Sequence, residues 1–323
     1  MHAIEVSHLR RTFTSNIGVI KRSAREIVAV DDVTFDIQEG ELFGLLGPNG
    51  AGKTTTTKML TTLLIPTAGT ASVKGFDVVK DADQVRRRIG FIFGGERGLY
   101  WRLSGIDNLR YFASLYNVDP DETKKRIAYL LDMVGLTGRG DEKVQGYSRG
   151  MKQRLHVART LLHNPDILFL DEPTLGLDPV GAREFRQVIL NLQSQKKTIL
   201  LTTHYMFEAD ALCNRIAIIN HGRIIALDTP AGLKSRVQDM NVVEVEIFGI
   251  PDATLEKLRN LPFVDVLSVE NYDQKQMLLI QTERGAEAVP DILGTIDGQR
   301  VGRVVVREPT LEDAYVRLVG GSA

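Results

Sequence analysis

The chain has 323 residues, 43% of them hydrophobic and 25% charged, with 40 basic side chains against 41 acidic ones and a single cysteine. That length accommodates two domains, and the composition excludes disordered, collagenous and disulfide-scaffold classes. A net charge of −1 argues against a nucleic-acid binder, and the longest apolar run, Ile127 to Leu131, falls far short of the roughly 18 residues that a membrane helix needs.

Strand-like runs alternate with helical patterns through residue 228, the pattern of a layered α/β domain. The N-terminal MHAIEVSHLR alternates like a strand and lacks the apolar core of a signal peptide, so the chain is expected to stay in the cytoplasm. Strands are expected near 3–9, 28–37, 41–46, 89–93, 167–171, 198–203, 215–220 and 223–228. Among them LFGLLG, DILFLD and TILLTT are almost continuously apolar, which suits parallel strands covered on both faces. Two basic clusters, Lys21, Arg22 and Arg25 before the second strand and Arg86 to Arg88 before the fourth, read as solvated faces. A lesser alternative sets the first against anionic lipid headgroups.

Between LFGLL and a helix starting near Lys53, the run Gly47-Pro48-Asn49-Gly50-Ala51-Gly52-Lys53-Thr54 fits G-x-x-x-x-G-K-[ST] in full. Its glycines let backbone N–H groups turn toward phosphate oxygens, and the helix N-terminus adds partial positive charge. Lys53 supplies a cation for the β and γ phosphates and Thr54 a hydroxyl for Mg2+. A mostly helical block follows at 105–163, with segments Ile106 to Tyr116, Asp121 to Val134 and a third starting at Ser148. The Ser104 hydroxyl is placed to cap the first of these. The buried strand ILFLDE then ends in two acids: Asp171 can hold the Mg2+ shell, and Glu172 is positioned to orient or deprotonate an attacking water. His204, just after TILLTT, can hydrogen-bond a γ phosphate or that water. Each acid or histidine alone would read as an ordinary strand end; all three at strand ends beside a phosphate loop do not. Cys213, in DALCN, reads as a small core residue.

After Asp228-Thr229-Pro230 the pattern changes. A strand at 242–249, a helix at Asp252 to Asn260, strands VDVLSV and QMLLIQ, a helix at Glu287 to Ile296, the strand VGRVVV and a last helix at Thr310 to Val319 give a βαββαβ order, the ferredoxin-like arrangement. This second domain, 231–323, carries no motif of a catalytic kind and reads as a packing, dimerisation or regulatory module.

The region 1–230 resembles the ATP-binding subunits of ABC transporters. GPNGAGKTT is similar to the Walker A segment, YSRGMKQRL to the ABC signature, ILFLDEP to Walker B, LGLDP to the D-loop and TTH to the switch histidine, in the family's order. The resemblance implies a P-loop NTPase fold, α/β with a helical subdomain at about 105–163, and a Mg2+-dependent ATPase. It implies Lys53, Glu172 and His204 as catalytic residues, and contacts to ATP from Gly47 through Thr55 (Gly47, Pro48, Asn49, Gly50, Ala51, Gly52, Lys53, Thr54, Thr55). Phe13 falls at the aromatic that stacks on adenine. Ser148, Gly150 and Met151 fall in the signature that closes over ATP held by a second subunit, and Asp178 falls where the two sites communicate. A homodimer or a paired ATPase subunit follows from one P-loop and one signature per chain.

Two departures stand out. Gly94-Gly95-Glu96-Arg97 occupies the loop where the family has a glutamine, so Glu96 is the candidate substitute at the metal. Arg149 and Met151 stand at glycine and glutamine positions of the signature. Together with the segment PTLEDAYVRLVG these departures resemble the daunorubicin-resistance exporter branch, whose ATPases serve a separate ABC-2-type permease from the cytoplasmic side of the cell membrane. Export of a drug-like or amphipathic solute is the leading expectation. The alternatives are a soluble, non-transport ABC ATPase and a non-hydrolysing nucleotide-dependent regulator; no nucleic-acid partner is expected.

Overall fold

The computed structural model describes residues 2–17, 23–93, 98–237, 239–273 and 275–320. The chain divides into two compact units, 1–227 and 228–323.

In the first unit a long hairpin, β1 (His2–Ile17) and β2 (Ser23–Gln38), joins β4 (Ala68–Val73) and β5 (Phe76–Asp77) in a sheet of order β2-β1-β4-β5 whose pairs are antiparallel. A six-stranded sheet has the order β10-β9-β3-β8-β7-β6, from β3 (Leu42–Leu46), β6 (Ile89–Phe93), β7 (Ile167–Asp171), β8 (Thr198–Thr203), β9 (Arg215–Asn220) and β10 (Arg223–Asp228). Its inner strands β9, β3, β8 and β7, with β6, pair in parallel. Every residue of β3, β7 and β8 is buried, as the continuous apolar runs require. Between the sheets lies α1 (Lys53–Leu60). Its Met59 and Leu60 join Ile4, Leu9, Val33 and Ile37 of the hairpin and Phe43, Leu45, Phe169 and Leu200 of the parallel sheet in one core. This sandwich fixes where each parallel strand ends.

The helices α2 (Ala82–Arg88), α3 (Gly105–Leu115), α4 (Pro120–Met133), α5 (Arg149–Thr160), α6 (Pro179–Ser194) and α7 (Met206–Leu212) complete the unit. Ser104 caps α3 as expected, its hydroxyl accepting from the Asp107 N–H at 3.0 Å. Cys213 is a buried core residue, and burial raises its thiol pKa.

Several expectations need correction. The first two strands run far past 3–9 and 28–37, because the outer half of the hairpin pairs through the backbone, whereas its side chains Arg10 to Thr14 carry no buried apolar face to announce it. Arg25 therefore lies within β2 and not before it; Lys21 and Arg22 lie outside the described residues. The strands β4 and β5 were not expected at all: β4 begins with three exposed residues and buries only Ala71 and Val73 fully, so its alternation is too short to read.

The second unit contains α8 (Pro230–Ser235), β11 (Asn241–Ile247), α9 (Asp252–Arg259), β12 (Val266–Tyr272), β13 (Lys275–Thr282), α10 (Val289–Thr295), β14 (Val301–Arg307) and α11 (Leu311–Gly320). The segment expected as one helix from Glu287 is a 3-10 turn, Gly285–Ala288, leading into the shorter α10. The sheet is antiparallel with order β12-β13-β11-β14, and one face packs Val243, Val245, Leu278 and Ile280 against Leu258, Ile292 and Ile296 of the helical layer. The start of α11 is locked by a reciprocal cap: the Thr310 N–H and hydroxyl donate to Asp313 Oδ2 at 2.6 and 2.7 Å. Arg307 donates to the same carboxylate at 2.6 Å and to Glu244 on β11 at 2.6 Å. The TLED of the C-terminal segment is thus a helix lock.

Burial alone would raise the Asp313 carboxyl pKa, but the hydrogen bonds from Arg307 and Thr310 outweigh it and hold it below the usual range. Asp313→Ala is expected to lower the unfolding free energy of this unit by about 1–3 kcal/mol at pH 7 in a urea titration. Because the folded pKa is depressed, the wild-type advantage is complete above the unfolded value of about 3.9 and disappears as pH falls through the folded one. A difference that persists below both values would place the stabilisation elsewhere.

Candidate active site

The loop between β3 and α1 is forced into its path by close backbone approaches. A Cβ on Gly47 would stand 2.2 Å from the Ile219 carbonyl oxygen; one on Gly52, whose φ is +110°, would stand 2.6 Å from that of Ala29. The hairpin turn between β9 and β10 holds the loop from the side, Gly222 donating to the Ala51 carbonyl at 2.9 Å. The helical ladder of α1 begins with Thr56 N–H to Gly52 at 2.9 Å, so the N–H groups of Lys53, Thr54 and Thr55 lie ahead of it, the arrangement that suits an anion at a helix N-terminus.

Lys53 is 5% exposed, and its Nζ donates to the carbonyls of Gly47 at 2.6 Å and Pro48 at 3.2 Å. It also lies 3.1 Å from Glu172 Oε1. The end of β7 meets this loop: the Thr54 hydroxyl donates to Asp171 Oδ2 at 2.8 Å, and the Thr202 hydroxyl donates to Asp171 Oδ1. Glu172 sits at φ +49°, a strained conformation for a glutamate, pinned by its N–H to Thr202 O at 3.0 Å. Its Oε2 accepts from His204 Nδ1 at 2.8 Å. In the tautomer that carries its proton on Nδ1, His204 donates that hydrogen bond to the carboxylate.

Lys53, Thr54, Asp171, Glu172 and His204 are therefore one connected cluster at the carboxyl ends of parallel strands, where open α/β sheets bind ligands. His204 holds Glu172 in this structure, a role not foreseen for it. Thr202 was missed: it fixes both the Asp171 carboxylate and the Glu172 backbone, and its only sequence signal is that it is one of two adjacent threonines closing the strand TILLTT.

The remaining site residues form other groups. Ser148 caps α5, its Oγ accepting from Met151 N–H at 3.2 Å, and Asp178 caps α6, accepting from Gly181 N–H at 2.7 Å. These helix starts lie side by side: a Cβ on Gly150 would stand 3.6 Å from Gly181 Cα. Arg149, at a signature glycine position, lays its guanidinium across Gly176, where a Cβ would stand 2.2 Å from Nη1. Among the described residues no hydrogen bond joins Ser148 or Asp178 to the phosphate loop. Phe13 lies on β1 opposite Ile27, two residues along β2 from the Ala29 that touches Gly52. Glu96 lies outside the described residues.

The set of hard oxygen donors at Thr54 and Asp171 fits a Mg2+ ion. The cradle and Lys53 fit a polyphosphate, and the Glu172 carboxylate lies against Lys53 at the same end of the sheet.

The ABC transporter family model matches residues 30–175. The linearmycin resistance ATP-binding protein LnrL of Bacillus subtilis is 33% identical over 303 residues, 93% of this chain and 96% of that protein. The daunorubicin resistance ATP-binding protein DrrA2 of Streptomyces coeruleorubidus is 38% identical over 90% of both chains. Among solved structures, a dimeric post-hydrolysis state of the ATP-binding cassette MJ0796 bound to ADP and Pi is similar with a TM-score of 0.61 and 26% identity, over 70% of this chain and 98% of that one.

Proposed function

The chain belongs to the ABC transporter family as an ATP-binding ATPase, and on that premise we propose that it energises efflux of a drug-like or amphipathic solute through a separate ABC-2-type permease. In this reading it works as a pair of cassettes on the cytoplasmic side of the membrane. The bonded cluster Lys53–Glu172–His204 beside Thr54–Asp171 supports the hydrolytic part of this reading, and the similarity to the linearmycin and daunorubicin resistance proteins supports the export part. No helix among the described residues is long and apolar enough to cross a membrane.

In the proposed mechanism the loop N–H groups and Lys53 bind the triphosphate, and the adenine stacks on Phe13. Mg2+, held by Thr54 and Asp171, supplies charge neutralisation at the phosphates when bound. Glu172, oriented by His204 and by its pinned backbone, takes the proton of the attacking water. Ser148, Gly150 and Met151 of one chain close over the nucleotide of the other, with Asp178 beside them. Glu96 is kept as the candidate for the missing glutamine. An exposed aromatic and aliphatic cluster, Tyr100, Trp101, Leu103 and Tyr111 at the start of the helical block, is the proposed seat of the permease.

Affinity purification of the tagged chain from detergent-solubilised membranes tests the partner. A polytopic protein is expected to co-purify and its recovery to fall several-fold with Trp101→Ala, in keeping with the loss of about 1–2 kcal/mol typical of a buried aromatic anchor. Recovery of ribosomes with no polytopic partner would contradict the exporter reading.

A further inference from the structure

Phe13 stands on the outer half of the β1–β2 hairpin, 38% exposed, with its cross-strand neighbour Ile27 48% exposed. An unsupported aromatic side chain there would sample several rotamers and lose them on stacking against a ligand. Phe13 is not unsupported. The guanidinium carbon of Arg11 lies 4.7 Å from its ring centroid, and Arg11 Nη1 donates to the Ile65 carbonyl at 2.8 Å. The segment that carries Ile65 follows α1 and is stitched to the same strand, Thr67 N–H donating to Arg10 O at 2.8 Å and Thr12 N–H to Thr67 Oγ1 at 3.1 Å.

We infer that Arg11 is a positioning residue for the base of the nucleotide. Its guanidinium covers one face of Phe13, fixes the ring and leaves the other face for a purine. The cation also draws π density toward itself, which makes the free face a better partner for an electron-rich base. Through Ile65 the platform is fastened to the far end of the helix that starts at the phosphate loop, so base and phosphate sites are held at a set spacing. The inference rests on the reading of Phe13 as the base-stacking residue.

Binding of ATP and of inorganic tripolyphosphate, both with Mg2+, tests it in Arg11→Ala, Arg11→Lys, Phe13→Ala and the double variant Arg11→Ala/Phe13→Ala. Arg11→Ala is expected to weaken ATP about three- to tenfold and leave tripolyphosphate unchanged, as for loss of a cation–π contact. Arg11→Lys recovers part of the loss, and in the Phe13→Ala background the Arg11 effect disappears. Equal weakening of both ligands, or an Arg11 effect that survives without Phe13, overturns the inference. If Phe13→Ala weakens ATP but Arg11→Ala does not, the inference alone falls; if Phe13→Ala leaves ATP affinity untouched, the base site falls and the inference with it.

Discussion

Glu172→Gln is expected to bind ATP and fail to hydrolyse it. The substitution keeps the size of the side chain and removes its capacity to take a proton, and loss of a positioned base costs about 10²–10⁴ in rate. Glutamine can still accept from His204 through its amide oxygen, so the surrounding geometry, including the +49° backbone held by Thr202, is expected to persist. The variant also removes the carboxylate opposite Lys53, which leaves that ammonium freer for phosphate. Nucleotide affinity is therefore expected to hold or rise, and a nucleotide-bound dimer to accumulate in size-exclusion chromatography with MgATP. Phosphate release at the wild-type rate would remove Glu172 from the chemistry.

Lys53→Ala acts earlier. The ammonium is almost wholly buried, and its hydrogen bonds to Gly47 and Pro48 shape the cradle as well as charging it. Loss of a charge-assisted bond to phosphate is worth roughly 1.5–3 kcal/mol, a decrease of about 10–150-fold in affinity. Glu172 would also be left without its cation beside an incoming triphosphate, and that repulsion adds to the loss. Equilibrium binding of ATP should report the change directly. Unaltered affinity in a folded variant would mean that the loop N–H groups alone hold the phosphates.

The phosphate loop, both acids and His204 were legible because each stands at the end of a strand whose apolar run is unmistakable. The strands lie parallel in one sheet, so identifying the strands was enough to bring their ends together. In the second unit the apolar residues Val243, Val245 and Ile247 recur at every other position of β11 and are buried on one face, which made that strand legible. What escaped was held by backbone and hydroxyl contacts, which leave little trace in hydropathy. The outer hairpin pairs without a core, Thr202 is one threonine among many, and Arg11 looks like any basic residue on a strand. The His204–Glu172 bond joins residues 32 apart and depends on a left-handed backbone at Glu172 that its residue type disfavours. The segment PTLEDAYVRLVG was assigned to an exporter branch by resemblance, and its Thr310 and Asp313 prove to cap α11 in the second unit.

Two copies of this chain are proposed to hydrolyse ATP at sites built on Lys53, Asp171 and Glu172. The most direct test of that proposal is phosphate release from the purified chain at saturating MgATP, measured as a function of protein concentration with Glu172→Gln as the control. Specific activity is expected to rise with concentration as pairs form and to be almost completely lost in the variant. A specific activity that stays constant in a chain shown by light scattering to be monomeric, or phosphate release undiminished by Glu172→Gln, would contradict the proposal.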